Sequence, residues 1–324
     1  MPQLTHVDIE SAAERVAGRV RTVAVARLDP DETRSYGVEA PADVWFALEY
    51  MQHTGSFKAR GAQNFLLAHR AAGTLPPAGV TIASGGNAGL ACAWAAREQG
   101  VRATVFLPET APAVKVARLR SYGAEVRLAG EGYADALVAC EKFAADSGAL
   151  ASHAYDHPLI AAGAGTLLTE IRERIPALDT VVVAVGGGGL LAGVATAAGQ
   201  HGIRTVAVEP ENCRALDAAL RAGEPVDVEI DSVAADSLGA RRVGPMALAV
   251  ARRDDVRTVT VPDAEIVRAR QALWNQRRIA VEHAAATALA ALRGAYAPAA
   301  GETVAVVLCG ANTDPGDLTG RDRG

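Results

Sequence analysis

The chain has 324 residues, half of them hydrophobic, and its 32 lysines and arginines against 37 aspartates and glutamates give a formal net charge of −5. This balance is typical of a globular protein with a well-buried core, and without a dense basic run it excludes the electrostatic footprint of a nucleic-acid-binding protein. The N-terminal stretch carries charges throughout and no apolar run reaches membrane-spanning length, so we expect neither a signal peptide nor a membrane anchor.

Short apolar runs alternate along the chain with longer helical patterns. The predicted strands are "VTIAS" (80–84), "RATVFLP" (102–108), "AEVRLAG" (124–130), "ALASHA" (149–154), "TVVVAV" (180–185), "RTVAVE" (204–209) and "TVAVVLCG" (303–310). Strands that are apolar on both faces and alternate with helices of about ten or more residues predict an α/β fold. We expect two lobes, in which parallel or mixed sheets are covered by helices.

Two glycine-containing stretches divide the chain. "GTLPPAG" (73–79) predicts the boundary of a lobe, and "DHPLIAAGAG" (156–165) predicts the return crossing. We therefore predict a small domain formed by residues 76–154, inserted into a large domain formed by residues 1–75 and 155–324.

The histidines and cysteines do not form a recognisable ligand set. His153 and His157 are four residues apart, but Pro158 argues against a shared helical face and a third ligand is missing. None of the cysteines belongs to a CxxC pair, which favours reduced thiols in a cytoplasm over disulfides or a zinc site. The cysteines are Cys92, Cys140, Cys213 and Cys309.

Three polar or glycine-rich motifs fall directly after predicted strands. "SGGNAG" follows the strand at 80–84, "GGGG" follows 180–185, and "CGAN" follows 303–308. Because ligands collect at the carboxyl ends of strands in such sheets, the three motifs predict one site. A further stretch, "HTGSFKARGA" at 53–62, contributes an amine, Lys58. Taken alone, this lysine fits a solvated surface charge better than a reactive amine.

Four consecutive glycines, Gly186 to Gly189, join a predicted buried strand to a helix that begins near Leu190. Glycines let bare amides approach a ligand closely, and the N-terminus of a helix adds partial positive charge, so the loop predicts a phosphate-binding site. An ordinary strand-to-helix turn does not need four glycines, because each one adds an entropic cost on folding.

Two classes of phosphate-bearing guest are open at this point. A nicotinamide dinucleotide is one, because Gly187, Gly189 and Gly193 fit a loose G-x-G-x-x-x-G pattern. Glu209 then ends the next strand about twenty residues on, where dinucleotide-binding folds place a ribose-binding acid. Pyridoxal phosphate is the other guest, because it needs a phosphate cradle, a lysine and a partner for its pyridine nitrogen. Of the two, pyridoxal phosphate gives Lys58 and "CGAN" a role.

The ordered set of motifs resembles the serine/threonine dehydratase family, which consists of pyridoxal phosphate enzymes of fold type II, the tryptophan-synthase-β-like fold. The motifs that carry this resemblance are "TGSFKARGA", "SGGNAGLACAWAA", "GGGGL", "SVAADSLGA" and "CGAN". The resemblance runs from about residue 20 to about residue 315. Ala88 after the asparagine of the second motif, together with Cys309 in the last, is similar to L-serine dehydratases of the mammalian type.

Carried over residue by residue, the resemblance implies a cofactor site and a substrate site. Lys58 is similar to the Schiff-base lysine, Asn87 to the asparagine that hydrogen-bonds the ring hydroxyl, and Cys309 to the small residue that faces the pyridine nitrogen. The implied cofactor-binding residues are Phe57, Lys58, Asn87, Gly186, Gly187, Gly188, Gly189, Leu190 and Cys309. The implied substrate-binding residues, which hold the carboxylate, are Ser84, Gly85 and Asn87.

The resemblance implies an ammonia-lyase in which Lys58 takes the Cα proton and the β-hydroxyl departs, so that L-serine, L-threonine or a larger β-hydroxy amino acid yields a 2-keto acid and ammonia. Within the fold, an amino-acid racemase and a β-replacement enzyme are the alternatives. Racemase relatives carry a serine at the position of Gly85, and β-replacement synthases usually show a "TSGNTG"-like loop, so both features favour the ammonia-lyase. An NAD-dependent oxidoreductase and a non-catalytic small-molecule sensor are the alternatives from other classes. The resemblance also implies a homodimer.

Three further positions carry weaker expectations. Glu209 matches a glutamate that often ligates a cation in the family, but Ala215 stands where divalent-binding relatives have a further carboxylate. A monovalent cation such as K⁺ at Glu209 and a plain strand-end carboxylate are therefore both open. Glu282 matches a family glutamate near the active site, and Arg60 is interpreted as support for the helix that carries Lys58.

Overall fold

The computed structural model describes residues 4–319, which fold around two β-sheets. The strands are β1 (Val25–Arg27), β2 (Asp43–Ala47), β3 (Val80–Ala83), β4 (Ala103–Leu107), β5 (Glu125–Leu128), β6 (Leu150–Ala151), β7 (Thr180–Ala184), β8 (Arg204–Pro210), β9 (Val256–Val261) and β10 (Thr303–Val307). The helices are α1 (His6–Val16), α2 (Pro30–Ser35), α3 (Lys58–Ala71), α4 (Asn87–Glu98), α5 (Ala113–Ser121), α6 (Tyr133–Ser147), α7 (Pro158–Arg174), α8 (Gly189–Gly199), α9 (Ala215–Ala222), α10 (Ala235–Leu238), α11 (Pro245–Ala251), α12 (Asp263–Arg277) and α13 (His283–Ala290).

The larger sheet has the strand order β1-β2-β10-β7-β8-β9, and every neighbouring pair is parallel except the antiparallel pair β1 and β2. The smaller sheet has the order β5-β4-β3-β6 and is wholly parallel. Strands β3, β4, β7 and β10 are buried along their whole length, as expected for parallel strands with helices on both faces. The predicted α/β class is confirmed.

Each strand predicted from the sequence is present, but β1, β2 and β9 were missed. β1 is a three-residue edge strand, and β9 is buried only at its two ends, so neither shows the continuous apolar run that marks the others. The smaller sheet lies entirely within the segment 76–154. The boundaries of the two predicted domains stay a prediction, because α3, from the segment before residue 76, also packs against this sheet.

Helix α3 enters the core of the smaller sheet through Phe65 and Leu66, each 1% exposed. Ile160 of α7 belongs to the same buried cluster. Burying a side chain of this size contributes about 1.5–3 kcal/mol, so these contacts fix α3 firmly between the two sheets. Lys58 is the first residue of α3, and its position therefore depends on this packing.

A buried ion cluster fixes the first turn of the same helix. The Arg60 guanidinium donates to both carboxylate oxygens of Glu49 at 2.7 and 3.0 Å and to both oxygens of Glu170 at 2.7 and 2.8 Å. Burial opposes the charge on Arg60, but the two carboxylates outweigh it and raise its pKa. The structure thus places Arg60 in a scaffold role beside Lys58, two residues further along α3.

Within residues 4–319, no helix is both long and apolar enough to cross a membrane.

Candidate active site

Lys58 is partly buried, and its amine is held by the backbone of a distant segment. Its Nζ donates to the carbonyl of Ala154 at 2.7 Å and lies 4.8 Å from the centroid of the Phe57 ring. Burial lowers the pKa of Lys58 to about 8, while the nearby Cys309 and Glu282 act in the opposite direction. A lysine in these surroundings is far closer to a neutral, reactive amine than a surface lysine is.

The loop that leads into Lys58 is tied to the end of β10. The amide of Phe57 donates to the carbonyl of Cys309 at 3.0 Å, and the side-chain amide of Asn312 donates to the carbonyl of Thr54 at 2.8 Å. Thr54 has a φ of 61°, a left-handed conformation that a β-branched residue rarely adopts. The contact with Asn312 therefore holds a strained turn two residues before the Ser-Phe-Lys sequence.

The thiol of Cys309 lies near enough to the amine of Lys58 for the two groups to interact electrostatically. Cys309 is buried, and this burial, reinforced by the carboxylate of Glu282, raises its thiol pKa to about 12. At neutral pH the residue is therefore an uncharged thiol. This property is what the predicted role beside a pyridine nitrogen requires, although that role stays a prediction.

Asn87, the first residue of α4, belongs to a polar network that joins the two sheets. Its Nδ2 donates to both carboxylate oxygens of Glu282 at 2.9 and 3.0 Å, and its Oδ1 accepts from the side-chain amide of Asn312 at 2.5 Å. The backbone amide of Asn312 donates to Glu282 at 2.8 Å. Burial raises the pKa of Glu282, whereas the donors from Asn87 and Asn312 oppose that rise.

Asn312 is the network member whose role the sequence did not reveal. The motif "CGAN" contained it, but only Cys309 was given a role. Its partner Asn87 is 225 residues away in sequence, so no local pattern relates the two side chains. Arg118 of α5 also donates to the Oδ1 of Asn312, which adds a second helix of the smaller sheet to the network.

The predicted substrate loop, Ser84 and Gly85, lies between β3 and the start of α4. The amide of Gly86 donates to the Ser84 hydroxyl at 3.4 Å, and a Cβ built on Gly85 would lie 2.7 Å from Cδ2 of Leu107. The structure brings this loop next to Asn87, and the N-terminus of α4 gives it the partial positive charge that suits a carboxylate. Its role as the substrate loop stays a prediction.

The glycine loop connects β7 to α8 and exposes a run of backbone donors. Gly188 has a φ of 92°, a conformation that glycine adopts without strain. Within residues 4–319, no oxygen accepts a hydrogen bond from the backbone amides of the loop. Those amides are Gly186, Gly187, Gly188, Gly189 and Leu190. Free amides at the N-terminus of a helix form the donor set that a phosphate requires, so the loop fits the predicted guest.

Glu209 and Gly193, which suggested a dinucleotide site, both have other partners. The carboxylate of Glu209 accepts from the amides of Leu216 at 2.7 Å and Asp217 at 2.9 Å, which caps the start of α9, and burial raises its pKa to about 7. A Cβ on Gly193 would lie 2.1 Å from the carbonyl of Ala161, so this glycine serves the packing of α8 against α7. Neither residue is linked to the glycine loop by these contacts.

Lys58, the free amides of the glycine loop and the neutral thiol of Cys309 together fit the aldehyde, phosphate and ring nitrogen of pyridoxal phosphate. A model of the pyridoxal-phosphate dependent enzyme family matches residues 30–310 of this chain. The chain belongs to this family. The family predicted from the motifs is therefore confirmed, and membership of it implies pyridoxal phosphate as the cofactor. The binding of its phosphate by the glycine loop stays a prediction.

Individual relatives agree with this assignment. An L-threonine ammonia-lyase of Geobacter sulfurreducens is 34% identical over 315 residues, covering 96% of this chain and 76% of that protein. A phenylserine dehydratase of Ralstonia pickettii is 40% identical over 276 residues, covering 83% of this chain and 82% of that protein. The structure of maize serine racemase superimposes with a TM-score of 0.89 at 28% identity, covering 98% of this chain and 97% of that one. The fold is thus the tryptophan-synthase-β-like fold of this family.

Proposed function

We propose that this chain is a pyridoxal phosphate-dependent ammonia-lyase. It converts L-serine, L-threonine or a related β-hydroxy amino acid to a 2-keto acid and ammonia by α,β-elimination. The observation that carries the proposal is the amine of Lys58, whose pKa is lowered to about 8 and whose preceding residue, Phe57, donates its backbone amide to the carbonyl of Cys309. The names of the relatives, which include ammonia-lyases and dehydratases, support the reaction class.

Pyridoxal phosphate, when bound, withdraws electrons from the substrate amino group and so acidifies the Cα–H bond. Lys58 is the base that takes this proton. A base works best when its pKa lies near the working pH, and burial brings the amine of Lys58 close to that value. The carbonyl of Ala154 accepts from Nζ at 2.7 Å and so fixes the direction in which the amine points.

Cys309 and Gly85 direct the outcome towards elimination. The uncharged thiol of Cys309 would face the pyridine nitrogen as a weak donor, so a cofactor held there would stabilise negative charge at Cα only weakly. That would favour loss of the protonated β-hydroxyl as water over transamination. Gly85 has no side chain that could return a proton to the opposite face of Cα, which disfavours racemisation even though the fold is shared with serine racemases.

The remaining site residues have proposed roles that follow from their positions. Ser84, Gly85 and Asn87 hold the substrate carboxylate at the N-terminus of α4. Asn87 also binds the ring hydroxyl, Phe57 packs beside the ring, and Gly186 to Leu190 bind the phosphate. Glu282 and Asn312 keep the amide of Asn87 oriented, because both hold it in hydrogen bonds of 2.5–3.0 Å.

The substrate panel tests this proposal. L-Serine, L-threonine and L-threo-phenylserine are incubated with the purified protein, and 2-keto acid and ammonia are measured together. Equal amounts of both products from at least one substrate are expected. One methyl group changes selectivity by only about 1–3 kcal/mol, so the panel also ranks substrates that the motifs leave equivalent. Formation of the D-isomer faster than the keto acid would instead assign a racemase, and ligand binding without ammonia would assign a sensor.

We also propose a K⁺ ion near Glu209, a homodimer and a cytoplasmic location. The Glu209 carboxylate is buried and its pKa is raised to about 7, so a bound cation would offset the cost of its negative charge. The four cysteines are free and buried, which supports a reducing compartment. Replacing K⁺ by Na⁺ in the unfolding and activity assays tests the ion, and sedimentation equilibrium tests the dimer.

A further inference from the structure

Residues 153–157, "HAYDH", form a short strap between Lys58 and the glycine loop. The carbonyl of Ala154 accepts from the amine of Lys58, and the next residue, Tyr155, lies against the loop. No motif in the sequence assigned a role to Tyr155. The strap is therefore the segment that contacts both the amine and the phosphate-binding amides of the predicted site.

The ring of Tyr155 lies flat on Gly187. A Cβ built on Gly187 would lie 2.3 Å from Cδ1 of the ring and 2.4 Å from both Cε1 and Cγ. Nearly equal distances to three consecutive ring carbons place Gly187 over the face of the ring. A Cβ on Gly189 would lie 2.7 Å from the carbonyl oxygen of Tyr155. The strap and the loop thus pack in direct contact, and glycine is required at both loop positions.

The far end of the ring is fixed to the segment that also holds the loop. The hydroxyl of Tyr155 donates to the carbonyl of Arg242 at 3.1 Å, and the amide of Gly244 donates to the carbonyl of Gly187 at 3.0 Å. Residues 242–244 therefore bind both the tyrosine and the glycine beneath it. These two hydrogen bonds close a small unit in which the ring, the loop and the 242–244 segment fix one another.

The near end of the strap is fixed by His153. Its Nδ1 accepts from the amides of Tyr155 at 3.2 Å and Asp156 at 2.7 Å, and its ring meets that of Tyr155 edge-on with centroids 4.9 Å apart. Because Nδ1 accepts, the proton of a neutral His153 lies on Nε2. The strap is thus a self-capped turn that presents the tyrosine ring to the loop.

Four glycines in succession have many accessible conformations, so a loop made of them loses much entropy when it wraps an anion. We propose that Tyr155 is a positioning residue that holds the glycine loop in its phosphate-binding shape and thereby sets the affinity for the phosphate of the cofactor. This inference rests on the proposed function of the loop. It predicts an effect on the phosphate that is separate from any effect on the aldehyde, which reacts at Lys58.

The test compares two probes, pyridoxal phosphate and pyridoxal, which differ only in the phosphate. Dissociation constants are measured on the full-length apo protein by absorbance, for the wild type, Tyr155→Phe, Tyr155→Ala and Tyr122→Ala. Tyr122 is the matched control, because its ring packs against Arg97 in the last turn of α4, at the opposite end of that helix from Asn87. Circular dichroism and thermal unfolding of each apo variant show whether the fold is intact.

Tyr155→Ala removes the ring from Gly187 and is expected to weaken pyridoxal phosphate about tenfold or more, while pyridoxal changes less than about twofold. Tyr155→Phe loses the hydrogen bond to Arg242 and is expected to weaken pyridoxal phosphate by about two- to fivefold, and it keeps the test valid if the alanine variant does not fold. Tyr122→Ala is expected to bind both probes as the wild type does.

Two results overturn the inference. Unchanged binding of pyridoxal phosphate to both Tyr155 variants shows that the loop keeps its shape without the tyrosine. Equal weakening of pyridoxal and pyridoxal phosphate shows that the ring acts on the aldehyde or the whole pocket, and not on the phosphate. A wild-type protein that fails to bind pyridoxal phosphate at Lys58 refutes the proposed function itself, so the two failures are distinguishable.

Discussion

The pKa of Lys58 is the quantity on which the chemistry of this chain depends most. In the free protein, burial lowers that pKa to about 8, although Cys309 and Glu282 favour the charged form. Because the pKa of Lys58 is lowered, its neutral amine forms as the pH rises through about 8, well below the pH at which an exposed lysine titrates. Replacing Glu282 with glutamine removes one of the groups that raise the pKa and is expected to move the titration to still lower pH.

The size of the effect follows directly from the titration. With a pKa of about 8, roughly one Lys58 side chain in ten is neutral at pH 7, whereas an unperturbed lysine with a pKa of about 10.4 is neutral in fewer than about one molecule in a thousand. At pH 7 the amine of Lys58 should therefore react with an uncharged acylating reagent more than about a hundredfold faster than the same amine would if its pKa were about 10.4.

Competitive acetylation measures this pKa without the cofactor. The apo protein is treated with trace acetic anhydride between pH 6 and pH 11, and the labelled peptides are quantified by mass spectrometry. Lys142 is an internal standard, because it is an exposed lysine whose pKa is raised by a hydrogen bond to Asp146. The labelling of Lys58 should inflect near pH 8, and that of Lys142 above pH 10.

An inflection of Lys58 that coincides with that of Lys142 would refute the reasoning, because it would mean that burial does not perturb the amine. An upward shift in Glu282→Gln would contradict the sign assigned to the carboxylate. Glu282→Asp serves as the charge-conserving control, and its inflection should stay nearer to that of the wild type.

Three substitutions test the geometry of the site and its support. The side chain added by Gly85→Ser would clash with Leu107, so D-serine formation from L-serine should be higher when Gly85→Ser is combined with Leu107→Val than in the single variant. Chiral chromatography measures the D-serine. Its absence from both variants would refute the role of Gly85. Gly188→Ala places a Cβ 2.2 Å from the methyl group of Ala247 at a φ of 92° and should lower the free energy of unfolding by about 2–4 kcal/mol in urea titrations. The control is Gly202→Ala, beyond the other end of α8, which has a φ of 66° and open space around its Cβ and should cost only the backbone strain of about 1–2 kcal/mol. Arg60→Met leaves two carboxylates without their buried partner and should cost about 3–5 kcal/mol, and a loss below about 1 kcal/mol would contradict the scaffold role.

The sheets were predictable because their central strands are apolar on both faces. Continuous runs such as "TVVVAV" need no partner to be recognised, since burial on both sides leaves a local pattern. The edge strands β1 and β9 lack that pattern, because several of their residues are exposed or only partly buried. These two strands join the larger sheet by pairing with β2 and β8, and the local sequence of a strand does not show its pairing partner.

The candidate site shows the same division. Lys58, Asn87, the glycine loop and Cys309 each lie in a motif that can be recognised in place. Asn312 and Tyr155 were missed, because their importance comes from contacts with residues that are distant in sequence. Tyr155 lies about thirty residues before the glycine that it covers, and nothing in "HAYDH" indicates an aromatic ring on a glycine loop.

Gly193 and Glu209 show the opposite error, in which a spacing matched a motif by coincidence. Gly193 is needed because α7 and α8 approach too closely for a side chain, and Glu209 because the first amides of α9 require an acceptor. Both needs are common in α/β proteins and place glycine and glutamate where a dinucleotide motif would also place them. The match to the pyridoxal-phosphate dependent enzyme family and the lowered pKa of Lys58 separate the two interpretations.

The most direct test of the central claim is ammonia release by the wild type and by two variants that each lack one lysine. Wild type, Lys58→Ala and Lys142→Ala are loaded with pyridoxal phosphate, treated in parallel with borohydride to map the modified lysine, and assayed for ammonia with L-serine and L-threonine. Wild type and Lys142→Ala should release ammonia and carry the pyridoxyl group on Lys58, while Lys58→Ala should lose activity by about a thousandfold or more with its fold intact. Retained turnover in Lys58→Ala, or a pyridoxyl group on another lysine of the wild type, would contradict the account.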